Sequence, residues 1–215
     1  MPVPAWFTEL LQKELRLWLT LSKDQVRILW DHYETLLRWN QKISLTSIPA
    51  GEEMVVRHYC ESLFFVAHMP IKSEAAFLVL DVGSGAGFPG IPMAVLRPAW
   101  KITLLESNQR KAVFLRESTR GLSNIAVLAR RAESISGGFD WLVSRGVDPA
   151  DVMKNVPRVA PSVGLMLGQD DFSTIKSLSD VAWLESVQLP WGDRRVCVYG
   201  KFHVENDLDV SRGTT

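Results

Sequence analysis

A glycine-rich segment, Asp81 to Gly90, contains residue types suited to holding a small ligand against the main chain. It follows an apolar run typical of a buried strand and precedes a run suited to a helix. Its glycines at positions 83, 85 and 87 permit tight turns and leave no side chain between the backbone and a ligand. Asp81 begins the segment, and Glu106 ends the next predicted strand, 23 residues after Gly83. The pattern predicts a ligand site where two neighbouring strands end.

Three classes of ligand compete for such a loop. A nucleoside triphosphate loop requires Gly-Lys-Ser/Thr after the turn, and no lysine lies between positions 73 and 100. A dinucleotide fingerprint would have its third glycine at position 88, which is Phe88. The pattern acid-x-G-x-G-x-G resembles instead the first motif of S-adenosylmethionine-dependent methyltransferases. That cofactor is a sulfonium cation, which the carboxylates of Asp81 and Glu106 suit better than they suit a pyrophosphate. Glu106 can also accept hydrogen bonds from both ribose hydroxyls.

Two further loops follow predicted strands at the same edge of the sheet. Arg131-Ala132-Glu133 follows the third strand, where a backbone amide or a short acidic side chain can read the edge of an adenine. An ordinary solvated turn explains that segment equally well. Ser144-Arg145-Gly146 follows the fourth strand, and ligands bind beyond the carboxyl ends of strands in open α/β sheets. Arg145 can bind either the carboxylate of the cofactor or an RNA phosphate, and a surface ion pair is the alternative.

The elements that must position these residues alternate between strands and helices after Phe77. Strands are predicted at 77–82, 101–106, 124–128, 139–144 and 163–168, and crossover helices at 89–96, 108–120 and 148–159. Segments 183–189 and 194–202 read as an antiparallel pair at the sheet edge. The prediction is an α/β, doubly wound, Rossmann-like fold with a helical N-terminal extension. We expect residues 1–72 to form that extension and residues 73–215 the methyltransferase domain, packed as one unit.

The N-terminal extension reads as three helices. The first is expected to contain apolar residues as far as Trp18 and Leu19, and the second to begin at Ser22, with Gln25 completing a capping box. The third is predicted from Glu52 to Ala67. Core packing is favoured for Trp18, Trp30 and Trp39, whereas Trp191 in a predicted turn is the candidate for base stacking. Arg57 and His58 are the best candidates on these helices for facing RNA, although packing under the glycine loop explains His58 equally well.

Composition narrows the class of protein. The 215 residues are 47% hydrophobic and 22% charged, with a formal net charge of zero, which excludes a disordered or coiled-coil chain. The zero charge conceals a local sum of +4 from Glu106 to Arg131 and of −4 from Asp170 to Asp209, so it does not exclude an RNA partner. The two cysteines lie 137 positions apart, which favours neither a disulfide framework nor a zinc site. We expect a cytoplasmic protein with no metal and no membrane partner.

The order of several segments resembles the bacterial 16S rRNA guanine-N7 methyltransferases, the RsmG family, also called glucose-inhibited division protein B. The resemblance extends roughly from Leu36 to Phe202. It rests on Arg38 to Thr46, Arg57-His58, Glu61-Ser62-Leu63, Asp81 to Pro92, Leu104 to Ser107, Lys111, Phe114-Leu115 and Ser144-Arg145. Ser44, Glu61, Phe88 and Gly146 are mild departures from the family pattern. Leu167 is a larger one, because the family usually carries lysine there.

The resemblance implies methylation of N7 of guanine 527 in the 530 loop of 16S rRNA, with S-adenosyl-L-methionine as the methyl donor. The expected partner is 16S rRNA within the small ribosomal subunit, and we expect the protein to be a monomer. The expected cofactor-binding residues are Asp81, Gly83, Gly85, Phe88, Glu106, Ala132, Glu133 and Arg145, and the expected RNA contacts are Arg57, His58, Lys111 and Arg145. No catalytic acid or base is assigned, because N7 already carries a free lone pair. Two alternatives stay open: a small-molecule methyltransferase on the same fold, and a non-catalytic RNA-binding assembly factor.

Overall fold

A seven-stranded mixed sheet forms the centre of the computed structural model, which describes residues 2–71, 75–177, 181–192 and 194–202, without the side chains of residues 155 and 156. The strand order is β3-β2-β1-β4-β5-β7-β6. The strands are β1 Leu78–Val82, β2 Lys101–Leu105, β3 Ile125–Leu128, β4 Trp141–Arg145, β5 Ser162–Gly168, β6 Val181–Gln188 and β7 Arg195–Phe202. The first five pair in parallel, and β7 pairs antiparallel with both β5 and β6. The predicted doubly wound sheet with an antiparallel edge pair is confirmed.

Alternating side chains divide the apolar core between the two faces of the sheet. Val79 and Val143 belong to a cluster that also contains the N-terminal helices, whereas Leu80 and Leu142 belong to a second cluster on the other face. Because successive side chains of a strand point in opposite directions, strands covered on both faces are apolar throughout. The first cluster contains residues of both the N-terminal helices and the sheet. The boundary between residues 72 and 73 stays a prediction.

Seven helical segments cover the two faces of the sheet in the described part of the chain. They are α1 Ala5–Leu15, α2 Lys23–Asn40, a composite α3, α4 Gly90–Leu96, α5 Gln109–Ser118, α6 Pro149–Val159 and α7 Gln169–Lys176. The composite α3 consists of Glu52–Met54, a π-helical turn Val55–Cys60 and Glu61–Ala67. Helices α1 to α5 supply the first core cluster, and α6 and α7 supply the second. Among the described residues, every helix is too short or too polar to cross a membrane.

The helices differ from the predicted ones mainly in the end of α1 and the presence of α7, and the other helix ends shift by one or two residues. Ser22 caps α2 and Gln25 completes the predicted capping box. Helix α1 ends at Leu15, however, and Trp18 lies beyond it, packed edge-on against Phe64. The apolar pattern extends beyond the end of α1 because Trp18, in the turn that follows the helix, packs into the same core as the helix residues. Helix α7 was not predicted.

Candidate functional site

The glycine loop joins the end of β1 to the start of α4. The amides of Gly83 and Ser84 donate to the Leu105 carbonyl at 2.9 and 3.1 Å, which ties the loop to β2. Gly83, Gly85 and Gly87 all have positive φ, between 55° and 90°, a region that favours glycine. A Cβ at Gly83 would overlap the Val147 side chain, whereas a Cβ at Gly85 would meet nothing nearer than the Gly83 carbonyl at 3.7 Å. The surface at Gly85 is thus open to a ligand.

Asp81 lies beneath this loop. Its side chain is fully buried, and Oδ2 accepts a hydrogen bond from the Gly90 amide at 3.1 Å, at the beginning of α4. A Cβ at Gly90 would overlap both Asp81 and Leu104, so glycine is needed there for the helix to approach the strand. Burial raises the pKa of the Asp81 carboxyl to about 7. The sequence expectation had this carboxylate facing the cofactor cation; instead it holds the backbone under the loop.

Glu106 lies immediately beyond β2 and connects two loops. Its Oε2 accepts from the Gly85 amide at 3.0 Å, and its Oε1 accepts from the Asn108 amide at 2.8 Å. A carboxylate has about four lone-pair positions, so each oxygen can accept one more hydrogen bond. The side chain is mostly buried and held in one orientation by these two amides. This geometry suits a ribose with two adjacent hydroxyl groups.

His32 of α2 supports the glycine loop from below. Its Nε2 lies 3.1 Å from the Ala86 carbonyl, and its Nδ1 lies 2.8 Å from the Tyr59 hydroxyl. Because a carbonyl only accepts, the proton belongs on Nε2, and Nδ1 accepts from the Tyr59 hydroxyl. Burial lowers the pKa of His32 to about 4. The N-terminal helices therefore hold the loop through a neutral imidazole.

His58 in the π-helical turn packs against the same loop. Its ring stacks on Phe88 with centroids 4.4 Å apart and an interplanar angle of 5°. Nε2 lies 2.8 Å from the Thr46 hydroxyl and Nδ1 lies 3.3 Å from Arg145, which leaves 9% of the residue exposed. Burial and the neighbouring arginine charges lower the pKa of His58 to about 3. The burial of His58 favours the packing role over RNA contact. The Phe88 ring is buried beneath the loop as well, so only the backbone of Phe88 can face a ligand.

The remaining predicted residues lie in a turn after β3 and at the start of helix α5. Ala132 and Glu133 form a 3₁₀ turn beyond β3, with Ala132 half-buried and the Glu133 side chain exposed. Lys111 lies in the first turn of α5, where Asn108 caps the helix by accepting from the Arg110 and Lys111 amides. The structure therefore brings Glu106 and Gly85 into direct contact. Residues 132 and 133 follow β3, and β2 lies between β3 and β1, the strand that the glycine loop follows.

Arg145 belongs to a second cluster, centred on Glu61. The Glu61 side chain is 1% exposed and lies 3.2 Å from Arg145, 2.6 Å from Arg195 and 3.4 Å from Arg57. Burial raises the pKa of the Glu61 carboxyl, and the three arginines oppose that rise because they favour the charged form. A cavity of about 230 Å³ opens beside the cluster. Its lining comes from α3, the end of β4 and the segment after it, the end of β5, the start of α7, Leu189 and the start of β7.

These two neighbouring regions fit the groups that a methyl transfer requires. The open backbone at Gly85 and the fixed carboxylate of Glu106 match the sugar and main-chain contacts of S-adenosyl-L-methionine. Val147 lines the cavity and also contacts the glycine loop at Gly83, so the two regions share a wall. The described residues contain no cluster of three or more His, Cys, Asp or Glu side chains placed to bind a metal ion. Cys60 and Cys197 are free, buried thiols.

The structural roles of His32, Glu61 and Arg195 were not predicted from the sequence. His32 lies three residues after Leu29 and four before Leu36, on the apolar face of α2, and this spacing was an available signal for burial. Glu61 and Arg195 had no such signal, because the contact between them joins positions 134 apart. Trp191, expected to stack on bases, packs instead against Trp18 and donates from Nε1 to Glu14 at 2.6 Å.

The sequence is similar to rRNA methyltransferases over most of its length. A model of the GidB family, described as rRNA small subunit methyltransferase G, matches residues 25–180. A protein of that name from Dictyoglomus thermophilum is 35% identical over 167 residues, which cover 74% of this chain and 69% of the relative. One from Nitrosomonas europaea is 43% identical over 118 residues, which cover 53% of each chain. These two matches span between about half and about two thirds of the relatives' own length.

The fold is similar to that of solved methyltransferases. A crystal structure of a SAM-dependent methyltransferase from Aquifex aeolicus superposes with a TM-score of 0.57. It shares 13% sequence identity, and the match covers 79% of this chain and 98% of that one. At this low sequence identity, the similarity supports a statement about the fold alone. The fold is that of S-adenosylmethionine-dependent methyltransferases.

Proposed function

This chain belongs to the GidB family of rRNA small subunit methyltransferase G proteins, and on that premise we propose that it methylates N7 of guanine 527 in the 530 loop of 16S rRNA. Family membership establishes the enzyme class, an rRNA methyltransferase that uses S-adenosyl-L-methionine. The particular base and atom are our proposal. We further propose that the protein acts in the cytoplasm, as a monomer, on rRNA within the small ribosomal subunit.

One observation carries the proposal. The glycine loop with Glu106 and the cavity beside Arg145 lie next to each other, separated by Val147. A methyl transfer needs a cofactor site and an acceptor site in direct contact, because the reacting atoms must be held about 3 Å apart and in line. The cavity is therefore the proposed position of the guanine, and the glycine loop the proposed position of the cofactor.

We assign the cofactor to the residues around the loop. The backbone at Gly83 and Gly85 would hold it, with Glu106 accepting from the ribose hydroxyls and the turn at Ala132 and Glu133 beside the adenine. Asp81 and Phe88 would act from beneath, since both side chains are buried. The cofactor supplies an electrophilic methyl group on a sulfonium centre.

The acceptor chemistry requires no strong base. N7 of guanine carries a free lone pair, so the reaction begins without removal of a proton. The described residues around the cavity offer arginines, apolar groups and two carboxylates, Glu61 and Asp171. Positioning and electrostatics must then provide the rate enhancement. N7 faces the deep major groove of an A-form helix, which side chains cannot read, so the target must lie in an exposed loop.

The RNA side of the site is proposed at Arg57, Arg145 and Lys111. Exposed arginines on α5, in the turn after it and beyond β3 add further positive charge. They are Arg110, Arg116, Arg120, Arg130 and Arg131. Such groups contribute affinity through phosphate contacts that do not depend on sequence.

The test is to map 7-methylguanosine in 16S rRNA. Purified protein and labelled S-adenosyl-L-methionine are incubated with naked 16S rRNA and with small subunits from cells that lack the gene. We expect label at guanine 527, and the same position unmodified in the cells that lack the gene. Glu106→Gln, which keeps the shape of the side chain but removes its charge, should reduce labelling. Label at another position, or on a free metabolite alone, would refute the proposed target, and failure to bind S-adenosyl-L-methionine would favour a non-catalytic factor.

A further inference from the structure

The cavity beside Glu61 contains more positive charge than its carboxylates neutralise. Three arginines, Arg57, Arg145 and Arg195, surround the buried Glu61 within 3.4 Å. The other acidic residue of the lining, Asp171, is exposed. Even when both carboxylates are counted, the cavity lining retains a net charge of +1, and Arg57 also pairs with Glu53 of α3, outside the lining, at 3.9 Å. A partly enclosed site with this balance attracts an anion, since its charges are less screened than those on an open surface.

Arg195 is fixed in place by several contacts. Its Nη1 donates to Glu61 at 2.7 Å, and its Nη2 donates to the Trp191 carbonyl at 3.3 Å. A Cβ at Gly192 would overlap the guanidinium group, so glycine makes room for the side chain to pass over the turn. A guanidinium has five N–H donors, and these contacts use two of its nitrogens. Arg195 is thus prepositioned with donors left for a further acceptor.

The cavity lies on the opposite side of β1 from the proposed cofactor contacts. Its lining includes no residue of 83–90, 106–108 or 131–134. In the strand order, β7 lies three strands from β1, about 14 Å across the sheet at a spacing of about 4.8 Å per strand. Glu106 and Ala132 lie beyond β2 and β3, in the other direction. An anion beside Arg195 therefore lies outside the adenosine half of the cofactor, and the experiments below distinguish a phosphate of the second substrate from the carboxylate of the cofactor.

We propose that Arg57, Arg145 and Arg195, oriented by Glu61, form an oxyanion site that binds a phosphate group of the target nucleotide. The inference rests on the proposed function and adds the recognition element: the enzyme holds the backbone of the nucleotide whose base it methylates. Arg195 contacts the substrate, and Glu61 is a positioning residue that acts through the arginines. Planar guanidinium groups suit this task because they bind two oxygens of a phosphate at once.

The chain offers a matched pair of variants to test this. Arg195→Gln removes one cation from the cavity, whereas Arg194→Gln removes the neighbouring one, which pairs with Asp170 and is not part of the lining. Arg195→Lys keeps the charge beside Glu61 and loses only the planar fork. Arg57 and Arg145 still surround Glu61 in every variant, so the buried carboxylate keeps counter-ions.

Steady-state methylation of small subunits and calorimetry with S-adenosyl-L-methionine supply the readouts. We expect Arg195→Gln to raise KM for the rRNA substrate about tenfold or more, as the loss of a charged hydrogen bond implies. The Kd for S-adenosyl-L-methionine should stay within about twofold, and the salt dependence of RNA binding should become shallower by about one phosphate contact. Arg194→Gln should change KM less than about twofold, and Arg195→Lys should fall between wild type and Arg195→Gln.

Competition with guanosine and its monophosphates identifies the group that is bound. Wild type should be inhibited by guanosine 5′- or 3′-monophosphate at lower concentration than by guanosine, and Arg195→Gln should lose that difference. A weaker affinity for S-adenosyl-L-methionine with unchanged KM for RNA would overturn the proposal, because the oxyanion would be the cofactor carboxylate. Equal behaviour of the two glutamine variants would overturn it as well. If wild type forms no 7-methylguanosine, the proposed function fails, while calorimetry with the monophosphates still tests the site.

Discussion

Replacing His32 with glutamine removes a titrating group from beneath the glycine loop and keeps the hydrogen bonds. The imidazole is 2% exposed and lies between the Ala86 carbonyl and the Tyr59 hydroxyl. A glutamine side chain can donate from its NH₂ group to the Ala86 carbonyl and accept at its amide oxygen from the Tyr59 hydroxyl. Wild type and His32→Gln should therefore differ in stability by an amount that depends on pH. The size of this pH dependence measures how strongly burial favours the neutral form of the His32 ring.

The magnitude follows from the depressed pKa. Folded His32 has a pKa of about 4, against about 6.5 when the chain is unfolded. Between these values the unfolded chain binds the proton more readily, so the contribution of His32 to stability is fully present above pH 6.5 and is lost as the pH falls. At pH 4.5, two units below 6.5, the loss amounts to about 2.5 kcal/mol at about 1.36 kcal/mol per unit. In urea this corresponds to a midpoint shift of about 1 M.

Asp81 provides a control, because its contribution to stability should change with pH in the direction opposite to that of His32. Its folded pKa of about 7 lies above its ordinary value of 3.8. The folded state therefore binds the proton more readily, and the ionised carboxylate lowers stability as the pH rises through this window. The two groups offset each other in wild type, so its own pH profile is flatter than either contribution. The difference between wild type and Asp81→Asn should grow in favour of wild type as the pH falls.

The assay is urea unfolding of wild type, His32→Gln and Asp81→Asn at pH 7.5, 6.0 and 4.5. The free energy of unfolding of wild type minus that of His32→Gln should decrease by about 2.5 kcal/mol from pH 7.5 to pH 4.5. A difference that stays constant over this range would refute the reasoning, because it would mean that the folded protein protonates His32 as readily as the unfolded chain does.

Two further predictions concern the loop and the C-terminal turn. Gly85→Ala and Gly137→Ala each place a Cβ on a backbone with φ near 50°, which should lower the free energy of unfolding by a similar amount of about 1 kcal/mol. Calorimetry should show that only Gly85→Ala loses affinity for S-adenosyl-L-methionine, by about tenfold or more. Equal affinities in the two variants would contradict the assignment of the loop. Trp191→Phe removes the hydrogen bond to Glu14 and should lower the free energy of unfolding by about 1.5 kcal/mol in urea, while leaving KM for rRNA unchanged. A rise in KM for rRNA would restore the stacking role for Trp191.

The fold was largely predictable because its signals are local. The apolar run of β1, the glycines that follow it and the capping box at Ser22 each depend on neighbours within a few residues. Boundaries were less accurate, as the early end of α1 at Leu15 shows. The spacing of apolar side chains reports burial, and a buried residue need not belong to a helix.

The candidate site was predictable in part for the same reason. Glu106 was identified from its distance to the glycines, and it contacts Gly85 directly. Asp81 was expected to face the ligand, but side chains alternate along a strand, and its direction was fixed by which face α4 covers. His58 could be placed only once Phe88 and Thr46 were known to lie on either side of it.

The sequence by itself determined the succession of strands and of most helices along the chain, the ligand loop and the family to which the chain belongs. Those features depend on residue types at fixed short spacings, which a linear pattern preserves. The tertiary structure alone decided that Glu61, Arg145 and Arg195 meet, and that His32 reaches the loop at Ala86. These contacts join residues 54 to 134 positions apart, and they form because the N-terminal helices pack against one face of the sheet.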